Sequence, residues 1–304
     1  MISRSAGESL RIWFVVVMLC LVPGCIMKID HTKVKKVRLD STYKRPAKIN
    51  PTDHTITVWV HGTRLFGSST FLKEFDNKPG LKKASLVGPC KLKTIALALT
   101  NAAPDCFDPE RFYLFGWDGK LTNAARKEAA EHLYRDLKSL CADYKKQYHV
   151  TPRLRLMSHS HGGNVILNLA AIDDPEKEKL QIDQVILLAC PVQECTKKLI
   201  HDARFKQVFS LYSRLDMYQI IDPQGLHPSS PNRFPIFSER TFDHDTKLIQ
   251  SKIRVNKRGL THYEFVQQDF LNNLPHILTV LSHWHEQDPN LGASAKKLLA
   301  INTN

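Results

Sequence analysis

A chain of 304 residues, 42% hydrophobic and 24% charged, has the apolar material for one large domain or two small ones and is too apolar to remain without a core. Its balance is basic, +13 at pH 7, with Lys28, Lys33, Lys35, Lys36, Arg38, Lys44, Arg45 and Lys48 crowded near the start. Such a cluster is either a solvated linker or a surface for anionic lipid head groups; no RNA- or DNA-binding motif accompanies it, so nucleic acid is excluded as the expected partner.

The first element in chain order reads as an export signal. Arg4 and Arg11 precede "IWFVVVMLCLV", an apolar run short for a membrane span, and "LVPGC" then ends at Cys25. Hydrophobic, small, then cysteine resembles the lipobox of bacterial lipoproteins, with Val22 and Gly24 in place and Pro23 an unusual occupant. Lipidation of Cys25 would tether the protein in the cell envelope. Ordinary secretion and an uncleaved signal anchor are the alternatives, and all three put the folded part outside the cytoplasm. Of the seven cysteines, Cys90 with Cys106 and Cys190 with Cys195 are candidate disulfides; buried free thiols are the other reading, and sequence does not choose between them.

From residue 55 onward β-rich runs alternate with helical patterns, which predicts a parallel sheet with crossover helices. "TITVWV" (55–60) and "RFYLFGW" (111–117) are the first two strands, and residues 63–110 between them read as a long irregular insertion. Residues 122–147 are helical in period, with Ala125, Ala129, Leu133, Leu137, Leu140, Cys141 and Tyr144 on one face. "RLRLM" (153–157) is a strand that runs into "SHSHGG", and "VILNLAAI" behind it is a buried helix. "QVILLAC", "VFSLYS" and "LIQSKIRV" are three further strands. "HYEFVQQDFLNNL" and "HILTVLSHWH" read as two helices separated at Pro275, and residues 217–247 as a loop that shapes or covers a site.

A strand, "SHSHGG" and a helix in succession match the spacing of a nucleophile elbow, G-x-S-x-G. The central Ser160 would sit on a strained turn at the carboxyl edge of the sheet, flanked by small Ser158 and Gly162, where a helix N-terminus favours developing negative charge. A serine hydroxyl needs a base, and the base a carboxylate. Asp216 follows the strand "VFSLYS" and His262 follows "LIQSKIRV", each just past a later strand; Asp222 is the fallback acid. Oxyanion donors are expected from the backbone N–H of His161 and from Thr63, or its neighbour Arg64, after "TVWVHGT". His61 reads as a structural hydrogen-bonding residue and Trp117 as a packed loop tryptophan. His159 and His161 suggest a metal pair only if further ligands converge, and no nearby cluster supplies them, so neither metal nor cofactor is expected.

Taken in order, "VWVHGT", "FGWDG" with a following helix containing Arg126, "SHSHGGN", "YSRLD" and "LTHYEF" resemble the α/β-hydrolases of the bacterial serine lipase and esterase type, over roughly residues 53 to 287. Ser158 departs from the family pattern, where glycine is usual. The resemblance implies a mostly parallel central sheet with helices on both faces, no large cap domain, and a metal-free Ser160–His262–Asp216 hydrolase of carboxylic esters, often lipids. The domains expected are a signal peptide over 1–24, a basic tether over 25–52, the catalytic domain over 53–287 and a C-terminal tail over 288–304. The partners expected are an ester or lipid substrate and a membrane surface. A catalytically silent scaffold for binding at the envelope is the rival from another class; thioesterase, amidase and acyltransferase chemistry would use the same three residues.

Overall fold

The computed structural model describes residues 54–63, 80–173, 180–221 and 241–287, with the backbone of two further strands at 36–39 and 297–301. The signal, Cys25, Arg64 and Asp222 lie outside the described residues.

Alternation along the strands builds a two-sided core. In β2 (Thr55–Val60), Ile56, Val58 and Val60 point to one face and Trp59 to the other, and all four are buried. The same pattern recurs in β4 (Phe112–Gly116), β5 (Arg153–His159), β6 (Gln184–Leu188), β7 (Val208–Tyr212) and β8 (Leu248–Val255). Strands buried on both faces require helices on both faces. On one side lie α1 (Lys91–Ala102) and α5 (Gln268–Gln287), contributing Leu92, Ile95, Leu99, Leu271, Leu274 and Ile277. On the other lie α2 (Asn123–Tyr148) and α3 (Gly162–Asn168), contributing Leu133, Leu137, Val165 and Ile166. At roughly 25 cal/mol per Å² of apolar area, each such side chain contributes about 1.5–3 kcal/mol against its exposed state.

Ten strands among the described residues form one sheet in the order β1 (Lys36–Leu39), β10 (Lys297–Ile301), β8, β7, β6, β5, β2, β4, β3 (Gly80–Lys83), with β9 (Arg258–Gly259) hairpinned onto β8. Pairings from β4 through β8 are parallel, and β3 (Gly80–Lys83) runs antiparallel at one edge. After β2 the chain crosses to β4 on one side and then returns to β5 on the other. That reversal opens a crevice at the carboxyl ends of β2 and β5, the place where open α/β sheets bind ligands. This strand order with an elbow after β5 is the α/β-hydrolase fold. Between β6 and β7, residues 189–207 hold only one short 3-10 turn, Lys197–His201, so no cap domain enters there.

Several expectations are corrected. The stretch 63–110 is not wholly irregular: β3 and α1 lie in it, and Leu92, Ile95 and Leu99 of α1 are buried. Pro275 does not divide two helices but sits inside α5. A proline there removes one backbone bond, and the buried Leu271, Leu274, Ile277, Leu278 and Leu281 hold the helix together across it. The sheet reaches beyond 53–287, because β1 (Lys36–Leu39) and β10 (Lys297–Ile301) pair with each other in parallel and β10 pairs with β8. Cys90, Cys106, Cys141, Cys190 and Cys195 are all free thiols, so neither candidate disulfide is formed. Among the described residues no helix is long and apolar enough to cross a membrane.

Candidate active site

Ser160 follows the last residue of β5 with φ +58°, a left-handed conformation that costs a non-glycine residue on the order of 1–2 kcal/mol. Packing leaves the turn little alternative. A Cβ on Gly162 would lie 2.6 Å from the His61 carbonyl oxygen, and one on Gly62 would lie 2.7 Å from Ser160 Cβ, so glycine at both positions lets the β2 loop and the elbow close on each other. The Ser160 N–H donates to the Leu188 carbonyl at 2.9 Å, and the Gly163 N–H donates back to the Ser160 carbonyl at 3.0 Å, opening α3. Ala189, which follows β6 beside the elbow, also has positive φ, +51°. Two strained residues at the ends of neighbouring strands are characteristic of functional sites.

Ser158 is accommodated as a fully buried strand residue paired with Val60 and Leu187. Its hydroxyl finds no hydrogen-bond partner. The departure from glycine therefore leaves the turn tight and charges its cost to an unsatisfied hydroxyl.

Asp216 and His262 meet as expected from their places after β7 and β8. His262 Nδ1 lies 2.9 and 3.0 Å from the two carboxylate oxygens of Asp216, and the acid is wholly buried. Asp216 Oδ1 also accepts from the Gln219 N–H at 3.0 Å, at the start of α4 (Met217–Ile221), and the Gln219 amide reaches the Cys190 carbonyl at 2.6 Å. The acid loop is thereby fastened to the end of β6. On the base side, Thr261 and Glu264 form a capping box at the turn that carries His262, and Arg258 pairs with Glu264. Arg258 foremost, aided by Thr261, holds the Glu264 carboxyl down to about 2 despite partial burial.

His262 reaches the elbow through the residue before the serine. His159 Nε2 lies 2.8 Å from the His262 carbonyl oxygen and donates to it, and the two imidazole centroids are 4.5 Å apart. Burial, then the nearby His262, pushes the His159 imidazole well below its usual value, so the ring is a neutral donor. The side chain of His159 is thus not a bystander to the turn. The Ser160 hydroxyl makes no hydrogen bond to His262 in this structure; in unliganded sites such bonds often tighten only when substrate arrives.

The backbone donors expected for an oxyanion lie just after β2 and at the start of α3. His161 is the N-cap residue of α3, so its N–H precedes the first intrahelical bonds, and its ring contacts Asn164. His61 donates from Nδ1 to the Gly62 carbonyl at 2.6 Å and accepts from the Trp117 N–H at 3.0 Å, while the Trp117 indole donates to the His61 carbonyl at 2.8 Å. The stacked His61–Trp117 pair clamps the loop that bears Gly62 and Thr63. Thr63 Oγ1 is buried with no hydrogen-bond partner. Farther back, the fully buried Arg126 donates from Nη2 to Gln193 Oε1 at 3.0 Å and holds the loop after β6. Among the described residues no three His, Cys, Asp or Glu side chains gather as a metal site requires.

Tyr218 and Tyr263 pack around the His262 ring without having been singled out in the sequence, and His159, weighed there only as half of a metal pair, bonds to His262 through its side chain. The T-x-x-E spacing of "THYE" was the legible signal for a helical turn placing His262.

No family model matches the sequence, and no curated protein matches it significantly. Solved structures that it is similar to include an α/β serine hydrolase homologue from Coxiella burnetii, 14% identical, with TM-score 0.38, over 74% of this chain and 84% of that one. Another is the esterase PF2001 of Pyrococcus furiosus, 12% identical with TM-score 0.35, over 76% and 82% of the two chains. A third is an α/β-hydrolase superfamily protein from Enterococcus faecalis, 13% identical with TM-score 0.32, over 78% and 92%.

Proposed function

We propose that this chain is a serine hydrolase that cleaves carboxylic esters. The observation that carries the reading is the Asp216–His262 pair, 2.9 Å apart, whose His262 carbonyl accepts from His159, the residue before a serine held at φ +58° on a strand-to-helix turn. Ser160 Oγ attacks the ester carbonyl while His262 Nε2 takes its proton, and Asp216 orients and stabilises the imidazolium. The carbonyl oxygen becomes an oxyanion opposite the N–H groups of His161 and Thr63. His262 then gives its proton to the departing alkoxide, which leaves as an alcohol, and Ser160 keeps the acyl group. Water repeats the sequence, releasing a carboxylic acid and restoring the serine.

Hydrolysis of 4-nitrophenyl acetate by the purified full chain tests this reading. Ser160→Ala is expected to abolish turnover above background and Asp216→Asn to lower kcat by about 10⁴-fold. Activity that survives Ser160→Ala would overturn it. The sequence also supports export and tethering through a lipid on Cys25. Incorporation of labelled palmitate by the wild type and its loss in Cys25→Ala would support the tether, and no incorporation would refute it.

A further inference from the structure

Around the Asp216–His262 pair lies a cluster of four rings, of which only His262 takes part in the proposed reaction. Its buried half is His159 and His262, with centroids 4.5 Å apart. Its outer half is Tyr218 and Tyr263. Tyr218 lies 5.1 Å from His262, and Tyr263 lies 5.7 Å from Tyr218 in a T-shaped arrangement at 73°. Tyr263 also lies 6.4 Å from His159. These tyrosines are 49% and 45% exposed, and Leu215 and Met217 beside them are 44% and 41% exposed. Large side chains exposed together around an otherwise buried acid–base pair form an apolar rim at the mouth of the site.

The position of the rim decides which part of a substrate meets it. The acyl carbon must sit against Ser160 and its oxygen against the Gly62–Thr63 loop and the start of α3. The base protonates the leaving alkoxide, so the alcohol portion must lie against His262 and whatever borders that ring. Tyr218 and Tyr263 border it. The two rings stand at 73° to each other, and a further aromatic ring can add to them the edge-to-face and offset contacts that aromatic rings favour over aliphatic ones of equal area.

Resting on the serine-hydrolase reading, we propose that Tyr218 and Tyr263 form a subsite for the alcohol portion of the ester, selecting alcohols that carry an aromatic ring. The two phenols are suited to this in a second way. A phenol hydroxyl can donate to, or accept from, a polar substituent on the ring.

The test compares benzyl acetate with cyclohexylmethyl acetate, two esters with the same acyl group and alcohols of similar size and acidity. The full chain is expected to prefer the benzyl ester in kcat/KM by about two- to tenfold, a ratio set by the aromatic contacts. Tyr218→Leu is expected to bring the ratio close to one, and Tyr263→Leu to lower it, while the order of preference among benzyl acetate, butanoate and octanoate stays the same. A wild-type ratio of one, or variants that slow both esters equally because the tyrosines only shield the acid–base pair, would overturn the subsite. Labelling of Ser160 by a fluorophosphonate in the same preparations separates the two claims. With Ser160 labelled and no benzyl preference, the subsite alone fails; with Ser160 unlabelled and neither ester hydrolysed, the hydrolase reading fails and takes the subsite with it.

Discussion

His159 donates from its ring to the backbone carbonyl of His262 across 2.8 Å, joining the residue before the proposed nucleophile to the proposed base. The bond fixes the base by its main chain, while Asp216 fixes it by its side chain. Removing the donor should let the His262 turn drift, and misplacement by about 1 Å costs on the order of 10²-fold in rate. His159→Ala is therefore expected to lower kcat by about 10- to 100-fold with KM changed less than about twofold. His159→Gln, which retains an N–H donor, should recover part of the loss. Equal losses in Ala and Gln variants, or a loss carried by KM, would remove His159 from this positioning role.

The same ring links stability to pH. Burial and His262 depress its value in the folded chain, so between about pH 6.5 and that lower value the unfolded chain binds a proton that the folded one does not. Stability should hence fall as pH drops below about 6.5, at up to about 1.4 kcal/mol per unit from this group. Denaturant midpoints at pH 7 and pH 5 check this. The decline should be shallower in His159→Gln, and an unchanged slope would contradict the assignment.

Ser158 carries a buried hydroxyl without a partner, and such a group costs about 1–3 kcal/mol. Ser158→Ala removes that group with little change of volume. It is expected to raise the thermal midpoint, corresponding to about 1 kcal/mol, and to leave the elbow in place. A lowered midpoint would show that the hydroxyl has a partner in solution.

The thiols should differ in reactivity. Burial raises Cys141 to about 11, whereas Cys195 is exposed. Iodoacetamide at pH 8 is expected to alkylate Cys195 in the folded protein, with Cys141 and the buried Cys190 reacting only after unfolding; peptide mass mapping reads the order. Early loss of the Cys141 thiol would contradict its burial.

How much of this was legible in the sequence depends on the range over which each feature is decided. "TITVWV" and "LIQSKIRV" coincide with β2 and β8 residue for residue, because turn residues bound them and apolar residues recur through them. "KVRL" and "KLLAI" are short and stand in polar surroundings, so nothing local marks them as strands; pairing along the β8 edge does. Pro275 is a helix breaker by local rule, and tertiary burial of its neighbours overrides it. In the site, Ser160, Asp216 and His262 were named by their places after strands, and the structure unites the last two directly. The partner of His159 is 103 residues away, and the tyrosines are set by the packing of α4 against the helical turn His262–Val266, so neither relationship has a local signature.

The most direct measurement is covalent labelling of the full chain by a fluorophosphonate, followed by peptide mass mapping. The account predicts a single adduct on Ser160, absent in Ser160→Ala and strongly slowed in His262→Ala. An adduct on another residue, labelling that persists in Ser160→Ala, or a folded protein that takes no label would contradict it.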